Sequence, residues 1–148
     1  MDHLPETLYY TAEHHWIEPL ASGRYRVGLT GYAAQHLGEV YSIDLPEIND
    51  AMQADEAICA VESEKATSSI LAPCAGVIVG INDELRDASS LLNQEPFSDG
   101  WLFEFTSEDP KLLKGFLSVQ DYTDLIQPHA EADQIEGGDF EEEDDANW

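Results

Sequence analysis

A single lysine, Lys65, lies between an apolar, β-prone stretch, residues 57–62, and a stretch rich in Thr, Ser and Ile, residues 67–73. The residues that separate these stretches are small or charged, as the residues of a tight turn in water usually are. The pattern therefore predicts a β-hairpin with Lys65 at its tip. No other lysine or arginine lies between Arg26 and Arg86. An isolated amine on a rigid turn suits covalent attachment of a long cofactor arm, although an ordinary solubilising lysine is the commoner case at such a position.

The residues of this turn and of the strand after it form a longer pattern, Glu62-Ser63-x-Lys65-Ala66 followed by Ala72-Pro73-x-x-Gly76-x-Ile78. The pattern resembles the lipoyl-attachment hairpin of the glycine cleavage H-protein family. The resemblance covers roughly residues 5–127 and rests on these further positions and runs: Tyr9, His14 and Trp16, Tyr25-x-Val27-Gly28-Leu29-Thr30, Leu37-Gly38-Glu39, Asp44-Leu45-Pro46, Asn82-Asp83-Glu84-Leu85, Leu92-Asn93, Glu95-Pro96 and Gly100-Trp101-Leu102. It implies that Lys65 carries lipoic acid in amide linkage, and that Glu62, Ser63, Glu64 and Ala66 form the attachment turn.

Such a hairpin would serve as a tethered shuttle. Paired strands hold both sides of the tip, so the lysine points outward while its attached arm keeps its rotational freedom. Tethering raises the effective concentration of the arm near a docked enzyme. The lipoyl dithiolane, which cycles between disulfide and dithiol, would supply the chemistry. We therefore expect a carrier protein and not an enzyme.

The composition limits the classes of partner. The 148 residues fit one domain with a core of useful size. A formal net charge of −25 argues against binding to nucleic acid or anionic membranes, because both require positive charge on the protein. No apolar run is long enough to span a bilayer, and residues 1–5 have neither a basic region nor an apolar one. We expect a cytoplasmic protein with protein partners.

The end of the chain differs from the rest in composition. From Glu131 onward nine carboxylates occur with no basic residue. We expect this segment to be disordered, and the domains to be a lipoyl-carrier domain over residues 1–128 and an acidic tail over residues 129–148. The tail would serve either solubility or docking to a basic partner.

Many short strands with turn residues between them predict a sheet-based core. The predicted strands are 8–11, 16–18, 24–30, 40–45, the two arms of the lysine hairpin, 76–81 and 101–106. The predicted helical segments are 32–37 with Thr30 as cap and Gly38 as stop, a turn at 88–92, a helix through 112–114 and a helix at 119–126 capped by Ser118. The pattern predicts a mainly β sandwich or barrel with a helical C-terminal end. The resemblance implies the barrel-sandwich hybrid of lipoyl and biotinyl carriers.

The cysteines and histidines do not form a recognisable site. A hairpin centred on residues 64–65 places Cys59 near Ile70, so a disulfide with Cys74 is not implied, and two reduced, buried thiols are expected. His14 and His15 are adjacent, and adjacent residues of a strand point to opposite faces. We therefore expect structural histidines and no metal site.

Two positions depart from the H-protein pattern. The family has a glutamate before the tryptophan where this chain has His15, and an acid four residues after the lipoyl lysine where this chain has Ser69. In the family these acids are thought to hold a cationic aminomethyl cargo in a protective cleft. Glu13 or Glu64 could replace them. We therefore take His15, Ser69 and Glu13 as candidate contacts of the arm or its cargo.

Three functions are consistent with these residues. The favoured hypothesis is an H-like lipoate-binding protein of cytoplasmic sulfur oxidation, which would carry sulfur for a heterodisulfide-reductase-like complex without a carboxylate clamp. The alternative is an H protein of glycine cleavage, which serves the P, T and L proteins, namely a pyridoxal-phosphate decarboxylase, a folate-dependent aminomethyltransferase and lipoamide dehydrogenase. Both need a lipoate-protein ligase. The third is an unmodified acidic docking module of the same fold.

Overall fold

The computed structural model describes residues 4–126, which form two antiparallel sheets and a few short helices. The strands are β1 Tyr9–Tyr10, β2 His15–Pro19, β3 Arg24–Leu29, β4 Val40–Asp44, β5 Ala51–Met52, β6 Ala57–Ser63, β7 Thr67–Leu71, β8 Gly76–Ile81 and β9 Phe103–Thr106. The helices are α1 Gly31–Leu37, α2 Glu84–Asp87, α3 Leu91–Gln94, a 3-10 helix at Leu112–Gly115, and a helical segment at residues 119–126. This architecture confirms the predicted mainly β class with a helical C-terminal end.

The larger sheet has six strands in the order β1-β2-β3-β9-β8-β5. Its inner face is apolar, with Ile17, Val27, Ile78, Phe103 and Phe105 fully buried in the main core. Alternate residues of a strand share one face, so these side chains lie together against the second sheet. Removing this apolar surface from water is the main stabilising contribution to the fold.

The smaller sheet has three strands in the order β4-β6-β7, and the predicted lysine hairpin is its β6–β7 pair. Cys59 pairs with Ile70 and Glu62 with Thr67, which is the register expected from a turn centred on residues 64–65. Val61 and Ile70 are buried in the main core. The hairpin is therefore anchored below its tip by apolar side chains.

Helix α1 begins and ends where the sequence predicts. The Thr30 side chain caps it by accepting a hydrogen bond from the backbone N–H of Ala33 at 3.3 Å. Gly38 follows the helix with a φ of 73° and ψ of −162°, a backbone conformation that is essentially limited to glycine. The chain then turns directly into β4.

The helical segment at residues 119–126 packs against β1 and β2, at one edge of the six-stranded sheet. Its Tyr122 is fully buried in a second cluster with Leu8, Tyr10 and Trp16. The rings of Tyr10 and Tyr122 stack at 4.9 Å between centroids. Ser118 caps the segment, as predicted, by accepting from the backbone N–H of Asp121 at 3.1 Å.

A buried carboxylate joins the middle strands of the larger sheet. Glu104 on β9 is 6% exposed and binds Arg24 and Arg26 of β3, with side-chain N···O distances of 2.7 Å to each. Burial alone would raise the pKa of Glu104, but hydrogen bonds and positive charges from the two arginines hold it below its usual value. Arg86 pairs with Asp83 at 2.6 Å. All three arginines of the chain are thus engaged by acids.

The structure differs from the sequence prediction in two elements. The stretch between β4 and the lysine hairpin contains the short strand β5, which the sequence analysis did not predict. Ala51 and Met52 pair there with Val77 and Gly76 of β8, and Met52 is fully buried. The helical turn predicted at 88–92 is found slightly later, as α3, and α2 before it was not predicted. The predicted acidic tail and its boundary at residue 128 lie outside the described residues.

Within residues 4–126, every helix is too short or too polar to cross a bilayer.

Candidate functional site

The attachment turn, which we define as residues 62–66, is closed by its own backbone and by one serine. The backbone N–H of Ser63 donates to the carbonyl of Ala66 at 3.0 Å, and the Ser63 hydroxyl donates to the same carbonyl at 3.0 Å. The Ser63 oxygen also receives the backbone N–H groups of Lys65 and Ala66 at 3.4 Å each. Lys65 is exposed at the apex. The tip therefore has a fixed backbone and presents a side chain to solvent.

The attachment turn is docked onto the connection between α1 and β4. The backbone N–H of Glu64 donates to the carbonyl of Glu39 at 2.9 Å, and the N–H of Glu39 donates to Oε1 of Glu64 at 3.4 Å. A Cβ at Gly38 would lie 2.9 Å from Cγ of Glu64. Asn93 of α3 binds this connection with both ends of its amide. Its Nδ2 donates to the carbonyl of Gly38 at 2.7 Å, and its Oδ1 accepts the backbone N–H of Val40 at 2.9 Å. The turn is thus braced by α3 through the α1–β4 connection.

A cleft of about 750 Å³ runs beside the attachment turn, within the size range of ligand pockets. The hairpin forms one side, with Lys65, Ala66 and Ser69 among its lining residues. The opposite side is formed by the β1–β2 connection and α1, and it includes three histidines, His14, His15 and His36, which we call the histidine wall. The lysine is therefore exposed and also borders the cleft.

His15 is the buried member of the histidine wall, with 1% of its surface exposed. Its Nδ1 lies 2.7 Å from Oγ1 of Thr11, which accepts the backbone N–H groups of Glu13 and His15 at 3.2 Å each. The Thr11 hydroxyl proton is therefore directed at Nδ1. Burial lowers the pKa of His15 to about 4, against a hydrogen bond to the backbone of Leu71 that raises it and a charge effect of His14 that lowers it further. His15 is consequently a neutral ring with protein partners on two sides.

His14 lies outside the strand, which corrects the premise that both histidines belong to one β-strand. Its backbone has a φ of 72°, in the left-handed region, and β2 begins at His15. The Nδ1 of His14 lies 2.8 Å from the hydroxyl of Tyr122, and its ring lies 4.9 Å from that of Tyr32. Among residues 4–126 no group of three or more His, Cys, Asp or Glu side chains could hold a metal ion.

His36 is a cleft residue for which the sequence analysis found no role. Its Nδ1–H donates to the carbonyl of Tyr32 at 2.9 Å, one helical turn earlier, and the two rings are 4.4 Å apart. The i, i+4 spacing of these two residues on α1 would have placed them on one helix face. The spacing does not show what this face of α1 borders, because that depends on how the strands pair. The sequence alone could therefore not assign His36 to the cleft.

The other candidate residues divide between the cleft and the turn. Glu13 and Ser69 are exposed and line the cleft from opposite sides. Glu13 is the one carboxylate among the described residues that line it, whereas the Glu64 carboxylate accepts the backbone N–H of Glu39. Glu62 accepts a hydrogen bond from the Ser42 hydroxyl at 3.1 Å on β4. Glu13 thus lines the cleft, and Glu64 is not among its lining residues.

The two cysteines are unpaired, and neither is among the residues that line the cleft. Cys59 is buried and Cys74 is half-buried. Burial raises the pKa of each thiol to about 12, with additional contributions from the charges of Asp44 and Asp109 respectively. Both therefore remain protonated thiols near neutral pH and are poor nucleophiles.

Known proteins show the same sequence and fold over nearly the same range. The sequence model of the family described as glycine cleavage H-protein matches residues 8–129. The glycine cleavage system H protein of Micrococcus luteus is 43% identical over 123 residues, which is 82% of this chain and 96% of the relative. That of Alteromonas mediterranea is 36% identical over 126 residues, which is 85% and 98%.

A solved structure extends the likeness to three dimensions. The crystal structure of a glycine cleavage system H protein from Mycobacterium marinum superposes with a TM-score of 0.73 at 31% identity, covering 82% of this chain and 97% of that one. This match confirms the barrel-sandwich fold of lipoyl carriers. The chain belongs to the glycine cleavage H-protein family, whose members are carriers with a lipoyl group covalently attached to a lysine.

Proposed function

We propose that this chain is the lipoyl carrier of a glycine cleavage system, with lipoic acid attached to Lys65. The observation that carries the proposal is the position of Lys65, which is exposed on a hydrogen-bonded turn and also borders the cleft. An arm attached there can extend to a docked enzyme or fold back along the cleft. The exposed amine fits an amide linkage, because an acylating enzyme can reach it without unfolding the hairpin.

The chain's own residues would shelter the end of the arm. When bound, the dithiolane supplies redox and group-carrying chemistry. The cleft offers the neutral His15 at its buried side and the carboxylate of Glu13 at its rim. A protonated amine in this cleft would therefore meet one negative charge and no positive charge from His15 near neutral pH. The expected contact roles of Glu13, His15 and Ser69 remain part of the proposal.

The comparisons favour glycine cleavage over the sulfur-oxidation hypothesis that the sequence analysis ranked first. Every relative described above is a glycine cleavage H protein, and none supports a heterodisulfide-reductase-like partner. The proposed partners are a lipoate-protein ligase, the decarboxylase and aminomethyltransferase of glycine cleavage, and lipoamide dehydrogenase. The cytoplasmic location expected from the sequence remains a prediction.

Exchange of labelled bicarbonate into the carboxyl group of glycine tests this function. Lipoylated protein is incubated with a glycine decarboxylase, and unloaded protein of the same sequence serves as the matched control. We expect exchange that depends on the lipoyl group, at a rate within about tenfold of that of a standard H protein, which corresponds to about 1.4 kcal/mol. Exchange no faster than with the unloaded control, in protein whose lipoylation is verified by mass, would contradict the proposal.

A further inference from the structure

Two buried tyrosines stack on each other but use their hydroxyl groups differently. The Tyr10 hydroxyl donates to the carbonyl of Pro5 at 2.6 Å, away from the cleft residues. The Tyr122 hydroxyl lies 2.8 Å from Nδ1 of His14 and 2.8 Å from Oγ1 of Thr30. Tyr122 therefore contacts one residue of the histidine wall and the cap of the helix that carries another. Both tyrosines are fully buried, so neither hydroxyl can rely on bulk water for a partner.

One assignment of donors satisfies both buried hydroxyl protons. Thr30 Oγ1 accepts the backbone N–H of Ala33 and, in this assignment, donates its own proton to the Tyr122 oxygen 2.8 Å away. Tyr122 then donates to Nδ1 of His14. This arrangement gives each of the two buried hydroxyl protons an acceptor. Burial raises the pKa of Tyr122, so its hydroxyl keeps the proton that it donates.

We propose that Tyr122 is a positioning residue that fixes the ring orientation and the tautomer of His14 in the histidine wall. With Nδ1 as acceptor, the neutral His14 ring carries its proton on Nε2, on the opposite side from Tyr122. The helical segment at residues 119–126, which is remote in sequence from the attachment turn, thereby determines the polarity of one side of the cleft. The functional part of this proposal rests on the proposed role of Lys65 and its arm.

The aromatic contacts extend this positioning along the wall. His14 lies against Tyr32, and Tyr32 lies against His36, with ring centroids 4.9 Å and 4.4 Å apart. The same Tyr122 hydroxyl contacts Thr30, which caps the helix on which Tyr32 and His36 stand. Removing the hydroxyl takes away the hydrogen bond at Nδ1 of His14, while the ring of residue 122 can still stack on Tyr10 and fill the core.

The substitution Tyr122→Phe tests the positioning role, with Tyr10→Phe as the matched control. Each removes one hydroxyl from the same stacked pair, and only the first removes a contact of His14. Long-range proton–nitrogen correlations of the unlipoylated protein report the tautomer at a pH where His14 is neutral. We expect the Nε2–H tautomer in wild type and in Tyr10→Phe, and a larger share of the Nδ1–H tautomer in Tyr122→Phe, because the group that holds Nδ1 as an acceptor is gone. An Nδ1–H tautomer in wild type would overturn the proposal without any variant.

The lifetime of the loaded arm tests the functional part. In lipoylated protein charged with an aminomethyl group, we expect Tyr122→Phe to speed loss of that group by about threefold to tenfold, the effect of losing one hydrogen bond, and Tyr10→Phe to leave it unchanged. Equal lifetimes in all three proteins would overturn this part even if the tautomer changes. If wild type accepts no aminomethyl group at all, the proposed function fails, while the tautomer measurement still decides whether Tyr122 positions His14.

Discussion

The attachment turn and the histidine wall face the same cleft from opposite sides, and they are built differently. The turn is exposed, and within residues 62–66 its hydrogen bonds span at most three residues, as in those from Ser63 to Ala66. The wall is partly or fully buried. His15 and His36 have partners four residues away, but Tyr122 binds His14 across 108 positions, and the three histidines meet at the cleft from two elements, the β1–β2 connection and α1. The lysine is thus presented by a local element, whereas the surface that would receive its arm is assembled by tertiary contacts.

This difference predicts different responses to mutation. A change in the turn should alter whether the arm is attached, because the turn is what a loading enzyme meets. A change in the wall should alter stability or the fate of the cargo, because the wall depends on buried polar groups that must keep their partners. The three predictions below test this division.

The largest expected effect is complete loss of lipoylation in Lys65→Arg. Arginine keeps the positive charge and the turn, but its guanidinium does not form the amide. Intact mass after expression with lipoate and a ligase should rise by one lipoyl group in wild type, in Lys111→Arg and in Lys114→Arg. Both control lysines lie at the 3-10 helix and not on a hairpin. A lipoyl group retained in Lys65→Arg would show that the attachment site is elsewhere.

The second prediction concerns the stability of the wall in acid. His15 has a pKa of about 4 when folded and 6.5 as its ordinary value, so the unfolded chain binds more protons between these pH values. The stability associated with neutral His15 is complete above pH 6.5 and is lost as the pH falls towards 4. The difference between the two pKa values of His15 corresponds to about 3 kcal/mol of folding free energy.

The control for this effect is His15→Gln, a neutral side chain without a titrating group. Both proteins share the same carboxylates, so subtracting their urea unfolding free energies at each pH isolates His15. We expect wild type to lose about 3 kcal/mol relative to the variant between pH 6.5 and 4. Parallel curves would show that His15 is not held neutral by burial.

The smallest expected effect comes from a change in the α1–β4 connection, on which the attachment turn is docked. Gly38→Ala places a Cβ at a φ of 73° and 2.9 Å from Cγ of Glu64. The backbone strain should cost about 2 kcal/mol, and the Glu64 side chain can move aside because it is exposed. Gly115→Ala is the control, since a Cβ there meets nothing within 4 Å. Urea midpoints that fall equally in both variants would contradict the role of Gly38. Lipoylation should persist in both.

Much of the fold could be predicted from local signals. The alternation of β3, the apolar run of β8, the Thr30 cap and the Gly38 stop are read from neighbouring residues, and each matches the structure. The short strand β5 could not be predicted, because two residues, Ala51 and Met52, carry no periodicity and become a strand only by pairing with β8. The preference for a sulfur cargo also failed to gain support, since two substitutions in a cleft do not identify what the cleft receives.

The sequence by itself determined the hairpin, its register and the isolation of Lys65, because a turn and the two strands beside it depend on contacts between near neighbours. Only the tertiary structure decided that Lys65 borders a cleft, that His36 belongs to the histidine wall, and that His15 is neutral. Those properties depend on burial and on hydrogen bonds with Tyr122 and with the backbone of Leu71, which are remote in sequence and which no local pattern records. A pKa or a cavity is a property of everything that surrounds a group, and the surroundings exist only after the two sheets and the C-terminal helical segment have packed together.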